Sequence, residues 1–382
     1  MGSFDKFLQS TMLIERFVSV LCYALALGYF YNKIRRAATP QAISRYLNQY
    51  LVVLCIMAFF YIPSASADLF RWRELSEPWK YNGFEWFWSN RVLTSRVPLG
   101  HLFIYLCQIT DIDGLLPMLC ALGFFGNLFH IIKCESLRQN RSSDSVALAL
   151  LFVMCTGEFL AVISGVRYLL ACSIVFRSVY DEMYGNKSML RSIPFYIIAV
   201  LLHTAAIPLI AMRLICLNPA NSYLTLILNF IAIVVVLVAT LQFGDIYIDT
   251  ALQKYDSYTS TDSYSYGWEY LISSLALIVI VFFMWRLWRY YPLGFVKEKV
   301  SIKLLAIVIL FALVNVSTYS IYHRFVSICI VLSVPMLLTY LNLSYSNGHK
   351  QSRRFIISFS MFILFLACTR GNLCGYKFFL LN

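Results

Sequence analysis

Long apolar runs alternate with short basic loops along this chain, and that alternation predicts a bundle of membrane-crossing helices. Runs long enough to cross occur at about 17–32, 47–63, 114–132, 146–164, 166–181, 193–213, 223–241, 270–290, 302–320, 325–343 and 355–369. A bilayer core takes roughly 20 apolar residues per helix, and each backbone N–H and C=O in lipid needs an internal partner, so each run is expected to be helical. The expected fold class is all-α, a polytopic membrane protein of about 10–11 transmembrane helices. Residues 1–382 are read as a single integral membrane domain. Two longer polar stretches, 64–100 and 242–269, are left as outer loops.

The basic residues give the bundle a direction. Lys33, Arg35, Arg36 and Arg45 follow the first run, and Lys133, Arg138 and Arg141 the third. Lys187 and Arg191 follow the fifth, Arg286, Arg289, Lys297 and Lys299 the eighth, and Lys350, Arg353 and Arg354 the tenth. Clusters of Lys and Arg in short loops stay on the cytoplasmic side. The stretch 242–269 holds Asp245, Asp249, Asp256, Asp262 and Glu269 against Lys254, which suits the outside. These placements conflict if 193–213 and 223–241 each cross once, so one of them is expected to be broken or re-entrant. Pro194, Pro208 and Pro219 put that irregularity at 193–222, since proline interrupts a helix and broken membrane helices line cavities.

Composition agrees. Apolar residues make up 60% of the chain and charged residues 13%, against about 45–50% and about 25% in soluble domains. Mean hydropathy is +0.70. The net charge of +12 sits in the short loops, where it directs insertion and leaves no face for nucleic acid. Asp5, Lys6, Glu15 and Arg16 rule out a cleavable signal, so the first span is expected to direct its own insertion. The 11 cysteines lie mostly in apolar runs without CxxC or Cys/His spacing, and no disulfide or metal site is expected. Without a Walker lysine loop, HExxH, GxSxG or an acidic cluster, the chemistry is expected to use no metal and no cofactor.

Several residues stand out against this background. The stretch 64–100 contains Trp72, Trp79, Trp86 and Trp88 together with Asp68, Arg71, Arg73, Glu74, Arg91 and Arg96. The tryptophans read either as an interfacial belt or as sugar-stacking platforms. Asp68 and Arg71, one helical turn apart, form either a local ion pair or a carboxylate beside an anion-binding guanidinium. Gly165-Val166-Arg167-Tyr168 opens a span at its outer end, where Arg167 is either a snorkelling anchor or, with the helix N-terminus, a phosphate site. His203 lies deep in an apolar segment, and Glu158 lies mid-span; intramembrane ionisable groups are functional candidates. His323-Arg324 is read as a short outer turn, and Arg324 is suited to bidentate phosphate contacts.

Taken in order, these features resemble the Wzy-type bacterial polysaccharide polymerases, in particular the EpsG-like branch. The residues that carry the resemblance are Asp68-x-x-Arg71, Gly165-x-Arg167-Tyr168 with Ala171, Leu202-His203-Thr204-Ala205, the Tyr-rich stretch 242–269, and Arg324-Phe325. The resemblance covers most of residues 50–330. It implies a GT-C-like glycosyltransferase of the bacterial inner membrane, acting at the periplasmic face. Such an enzyme joins oligosaccharide repeat units carried on undecaprenyl diphosphate into O-antigen or capsular polysaccharide, with membrane lipid, a flippase and a chain-length regulator as partners. Asp68, Arg167 and His203 would then be catalytic, with Asp68 the first choice of base and His203 the second. Arg71, Arg324, His323, Tyr168 and Trp72 would hold diphosphate and sugar. The rivals are an O-antigen ligase, a lipid-linked oligosaccharide flippase, which would be expected to show a two-fold repeat, and a membrane acyltransferase, which would be expected to show a histidine motif that His101 and His130 do not provide.

Overall fold

The structure is a computed structural model that describes residues 3–63, 67–138, 142–156, 158–185, 187–216, 267–290, 296–316, 319–346 and 350–369. It is all-α, as the periodicity requires. The helices are α1 (Ser3–Arg35), α2 (Pro40–Phe59), α3 (Asp68–Phe87), α4 (Pro98–Gln108), α5 (Leu115–Arg138), α6 (Ser143–Cys155), α7 (Glu158–Ser164), α8 (Tyr168–Tyr184), α9 (Met189–Leu202) and α10 (Ala206–Cys216). After residues outside the described set come α11 (Gly267–Tyr290), α12 (Val296–Val314), α13 (Tyr319–Leu332), α14 (Val334–Ser346) and α15 (Lys350–Thr369). Among the described residues five of these are long and apolar enough to cross a bilayer, and α13 with α14, bent by 47°, is a broken span or a re-entrant loop. Pro335, in the first turn of α14, explains that bend, because its ring excludes a straight continuation and it donates no hydrogen bond. The protein is therefore a multi-pass membrane protein, in which several of the apolar runs are divided into shorter helices.

At the centre lies α6, every residue of which from Ser145 to Cys155 is buried. A helix that is apolar all round can only sit inside a bundle, and α6 is enclosed by α1, α14 and α15. Beside it α2 packs along α5. Gly114 permits that approach, since a Cβ there would lie 2.1 Å from the Phe59 carbonyl oxygen.

The basic clusters gather at one end. Asp144 receives Arg35 at 3.1 Å and Arg353 at 3.3 Å, tying α1 and α15 to the start of α6. Lys133 donates to Asn48 of α2. Glu135 receives Arg138 at 3.0 Å and the Tyr180 hydroxyl at 2.9 Å, and Asp181 receives Lys187 at 2.6 Å. Ring contacts of Phe282 and Phe283 with Phe355 bring the C-terminal half of α11 to the same end. Charge patterning in the loops thus maps onto one face of the bundle.

Run 193–213 is not one span. α9 ends at Leu202, His203 turns extended, and α10 runs back. Arg213 of α10 donates through Nε to Glu182 near the end of α8 (2.7 Å), and its Nη1 reaches the Met189 sulfur, at the start of α9 (3.6 Å). The hairpin therefore begins and ends toward the basic end. At about 1.5 Å per residue its arms are about 21 and 16 Å long, too short for a core of about 30 Å. The run 193–213 thus makes no net crossing, which is the broken or re-entrant segment that the basic loops called for. The runs 223–241 and most of 242–269 lie outside the described residues, as does the side chain of Glu158.

The Glu182–Arg213 pair is buried on both sides and also accepts the Tyr196 hydroxyl at 2.8 Å. Removing one partner of such a pair strands a charge, at a cost of about 3–5 kcal/mol, whereas an apolar replacement of both is close to neutral. Arg213→Met alone is expected to lower the thermal unfolding midpoint in detergent clearly. Adding Glu182→Leu to it is expected to recover most of the loss; equal losses for single and double variants would show that the pair does not latch the hairpin.

Candidate active site

The end opposite the basic clusters is closed by α3, a π-helical turn at Trp88–Val92, and α4. The stretch 64–100 is thus helical rather than a loop from Asp68 on. Its helix α3 breaks at Gly83, whose φ of 78° is a conformation that side chains resist. The layer is held by rings and charges. Phe87 stacks on Tyr105 at 4.1 Å, and Trp79 lies 5.3 Å from Phe87. Lys80 pairs with Asp111, which raises the lysine pKa, and Arg73 donates to the Asp113 carbonyl at 2.8 Å. Trp86 and Trp88 are exposed on this layer, while Trp79 is only 3% exposed.

Beneath the layer lies Arg167. It stands between α7 and α8, after a turn in which Val166 is forced to a φ of 50°. A β-branched residue in the left-handed region is an outlier that costs on the order of 1–3 kcal/mol, and such strain concentrates at functional sites. The turn is fixed by the Cys120 thiol, which donates to the Val166 carbonyl at 2.7 Å, and by the Arg167 N–H on the Gly165 carbonyl at 2.6 Å. The result aims the guanidinium inward rather than toward water: Arg167 is 8% exposed. Its Cζ lies 4.1 Å from the Trp72 ring centre, a close cation–π contact. On another side is Gly100 of α4, where a Cβ would sit 2.8 Å from Arg167 Nη1 and 2.5 Å from the Leu202 carbonyl oxygen. Nη1 itself is buried with no hydrogen-bond partner among the described residues. A buried charged donor of this kind is expensive to leave unmet and is the natural receptor for an anionic oxygen.

The other residues singled out by sequence fall around this group. Asp68 opens α3, where the helix dipole favours its charge, and pairs with Arg71 one turn on. Its carboxylate is within Coulombic reach of Arg167, and Arg71 is the exposed member of the pair. The Tyr168 hydroxyl donates to the Arg324 carbonyl at 2.7 Å, and the Tyr168 ring lies 5.4 Å from the Arg324 Cζ and 5.6 Å from the His203 ring. His203, at the tip of the hairpin, accepts the Ala205 N–H at Nδ1 (3.1 Å), ending α9 and capping α10. His323 and Arg324 are in the second turn of α13, not in an inter-span turn. The His323 Nδ1 is within 2.9 Å of the Ser273 hydroxyl of α11, so its ring engages α11.

Three further groups belong to the site: Gly100 and His101, which the sequence did not single out for it, and Trp79, one of the four tryptophans read as an interfacial belt or as stacking platforms. Gly100 makes the room that Arg167 occupies. His101, next along, lies 5.9 Å from Trp72 and 5.7 Å from Trp79, ring to ring. Its Nδ1 is 3.0 Å from the Arg91 carbonyl oxygen. Burial lowers the His101 pKa, opposed by that hydrogen bond and reinforced by Arg167 and Arg91. The third is Trp79, whose Nε1 is, like Arg167 Nη1, buried with no partner among the described residues. No sequence spacing marks these roles, because each arises from α3, α4 and α8 meeting. No group of three or more potential metal ligands occurs among the described residues.

A polytopic all-α membrane protein, with a buried arginine under an aromatic layer at the end opposite its basic loops, is the class that fold and site define. The chain belongs to the EpsG family, whose family model matches residues 98–379. The matched span holds Gly100, His101, Arg167, Tyr168, His203 and Arg324, and begins after Asp68, Arg71 and Trp72. No curated protein matches the chain, and no solved structure does.

Proposed function

We propose that this EpsG-family chain is a glycosyltransferase that polymerises oligosaccharide repeat units carried on undecaprenyl diphosphate, at the periplasmic face of the bacterial inner membrane. The observation that carries this reading is the buried Arg167 guanidinium, backed by Trp72 and presenting Nη1 without a hydrogen-bond partner among the described residues. Two charged phosphates beside a membrane need fixed donors at that depth, and Arg167, with Arg324 across Tyr168 and Arg71 at the rim, supplies them. When an acceptor sugar hydroxyl attacks the anomeric carbon of the donor chain, the bond to the diphosphate breaks and negative charge grows on its oxygens. Donors already in place stabilise that charge without reorganising, the largest single catalytic contribution of this kind. The lipid tail leaves sideways between helices, and the sugars occupy the outer layer, where Trp72 offers an aromatic face. His203 carries its proton on Nε2, because Nδ1 already accepts the Ala205 N–H. It is thereby suited to donating toward a leaving phosphate oxygen.

The test is to delete the gene and separate the surface polysaccharide by size. Loss of the ladder with retention of single-repeat caps is expected, and complementation restores the ladder. Accumulation of lipid-linked polymer with no attached repeats would indicate a ligase and overturn the reading.

A further inference from the structure

Polymerisation requires a group to take the proton from the attacking hydroxyl, and the residues around Arg167 differ in whether they can. Asp68 is already engaged: its Oδ1 accepts a hydrogen bond from Arg71 one turn on, at the start of α3. For His203, Nδ1 accepts a backbone N–H, so Nε2 is the protonated nitrogen and has no lone pair to offer. For His101 the opposite holds. The Arg91 carbonyl can only accept, so the His101 Nδ1 carries the hydrogen and Nε2 bears the lone pair. The two histidines near Arg167 are therefore held in opposite tautomers by backbone groups, the Arg91 carbonyl and the Ala205 N–H.

Position agrees with this assignment. His101 directly follows Gly100, the residue whose backbone abuts the Arg167 guanidinium. Its ring is bracketed by Trp72, which backs Arg167, and by Trp79, whose indole N–H has no partner among the described residues. A sugar hydroxyl entering between the indole donor and the arginine thus meets an imidazole with a lone pair. We infer that His101 Nε2 is the general base of the proposed polymerase, a role that rests on the reading above. The hydroxyl oxygen forms its bond to the anomeric carbon as its proton passes to Nε2. The anomeric carbon–oxygen bond to the diphosphate breaks, its electron pair leaving with the phosphate. The imidazolium, next to two arginines, then releases its proton to water, so one proton and one added diphosphate charge balance.

The test uses the full-length enzyme in detergent with a lipid-linked repeat unit and follows chain growth, together with retention of the lipid-linked donor on immobilised enzyme. His101→Asn keeps an amide N–H for the Arg91 carbonyl but has no basic nitrogen, and His203→Gln keeps a donor where Nε2–H stood. The expected result is that His101→Asn slows chain growth by about 100-fold while donor retention stays within threefold of wild type. His203→Gln is expected to stay within about tenfold of wild type. If His101→Asn polymerises within threefold of wild type, or if His203→Gln is the variant that loses 100-fold, the assignment is wrong even though the wild-type enzyme polymerises. If wild type itself does not extend the donor, the functional reading fails first. A loss of donor retention in His101→Asn equal to the loss of rate would make His101 a binding residue and overturn its role as base.

Discussion

Arg167→Lys is expected to reduce polymer to single or very short repeats, lowering chain growth by about 100- to 1,000-fold, the range seen when one preorganised donor is removed from a developing oxyanion. The positive charge is kept, so a loss this large isolates geometry. Lysine has no planar face for Trp72 and no paired donors for phosphate oxygens, and its hydration makes the same buried place costlier. Arg167→Met goes further and makes a second measurement informative. It removes a buried charged group whose Nη1 has no hydrogen-bond partner among the described residues, so the thermal midpoint in detergent is expected to hold or rise while activity disappears. Activity loss with undiminished stability is the signature of a group held for function. Wild-type ladders from a stably inserted Arg167→Lys protein would remove Arg167 from the mechanism, and a large fall in stability for Arg167→Met would reassign it to structure.

Much of the fold was legible because lipid imposes it. Apolar runs, basic loops and the Gly165-Val166-Arg167-Tyr168 motif are local patterns, and the structure has helices, one basic end and a strained turn where they fall. The hairpin of α9 and α10 was readable only as a parity conflict. Hydropathy sees run 193–213 as continuous, and its reversal depends on Arg213 finding Glu182, 31 residues back in the chain. Asp68 and Arg71 were visible as one turn of helix, and Trp79 as one of four candidate stacking rings, whereas Gly100 and His101 were not visible as site residues. A glycine's role there is the absence of atoms where α9 and Arg167 approach, and a histidine's is the tautomer set by Arg91 ten residues earlier. His323 shows the converse: a polar pair next to an apolar run suggests a turn, yet the helix begins before it and the ring engages α11.

Gly100→Val is expected to cost about 100-fold in chain growth, with Gly100→Ala intermediate at about tenfold or more. The first added carbon would stand 2.5 Å from the Leu202 carbonyl oxygen, a backbone atom that cannot rotate away, and 2.8 Å from Arg167 Nη1. Either α4 lifts from the end of α9, separating His101 from the hairpin tip that carries His203, or the guanidinium slides off Trp72. Displacements of about 1 Å in a catalytic constellation carry losses of this size. A general effect of adding methyl groups to helical glycines is excluded by Gly126→Ala in α5, where the nearest atom to the new carbon, Leu51 Cδ2, is 4.0 Å away. That variant is expected to keep full activity and to gain up to about 1 kcal/mol of helix stability. Full-length ladders from Gly100→Val would mean that α4 and Arg167 are not in contact in the working enzyme. A loss in Gly126→Ala matching that in Gly100→Ala would make the effect one of folding rather than of the pocket.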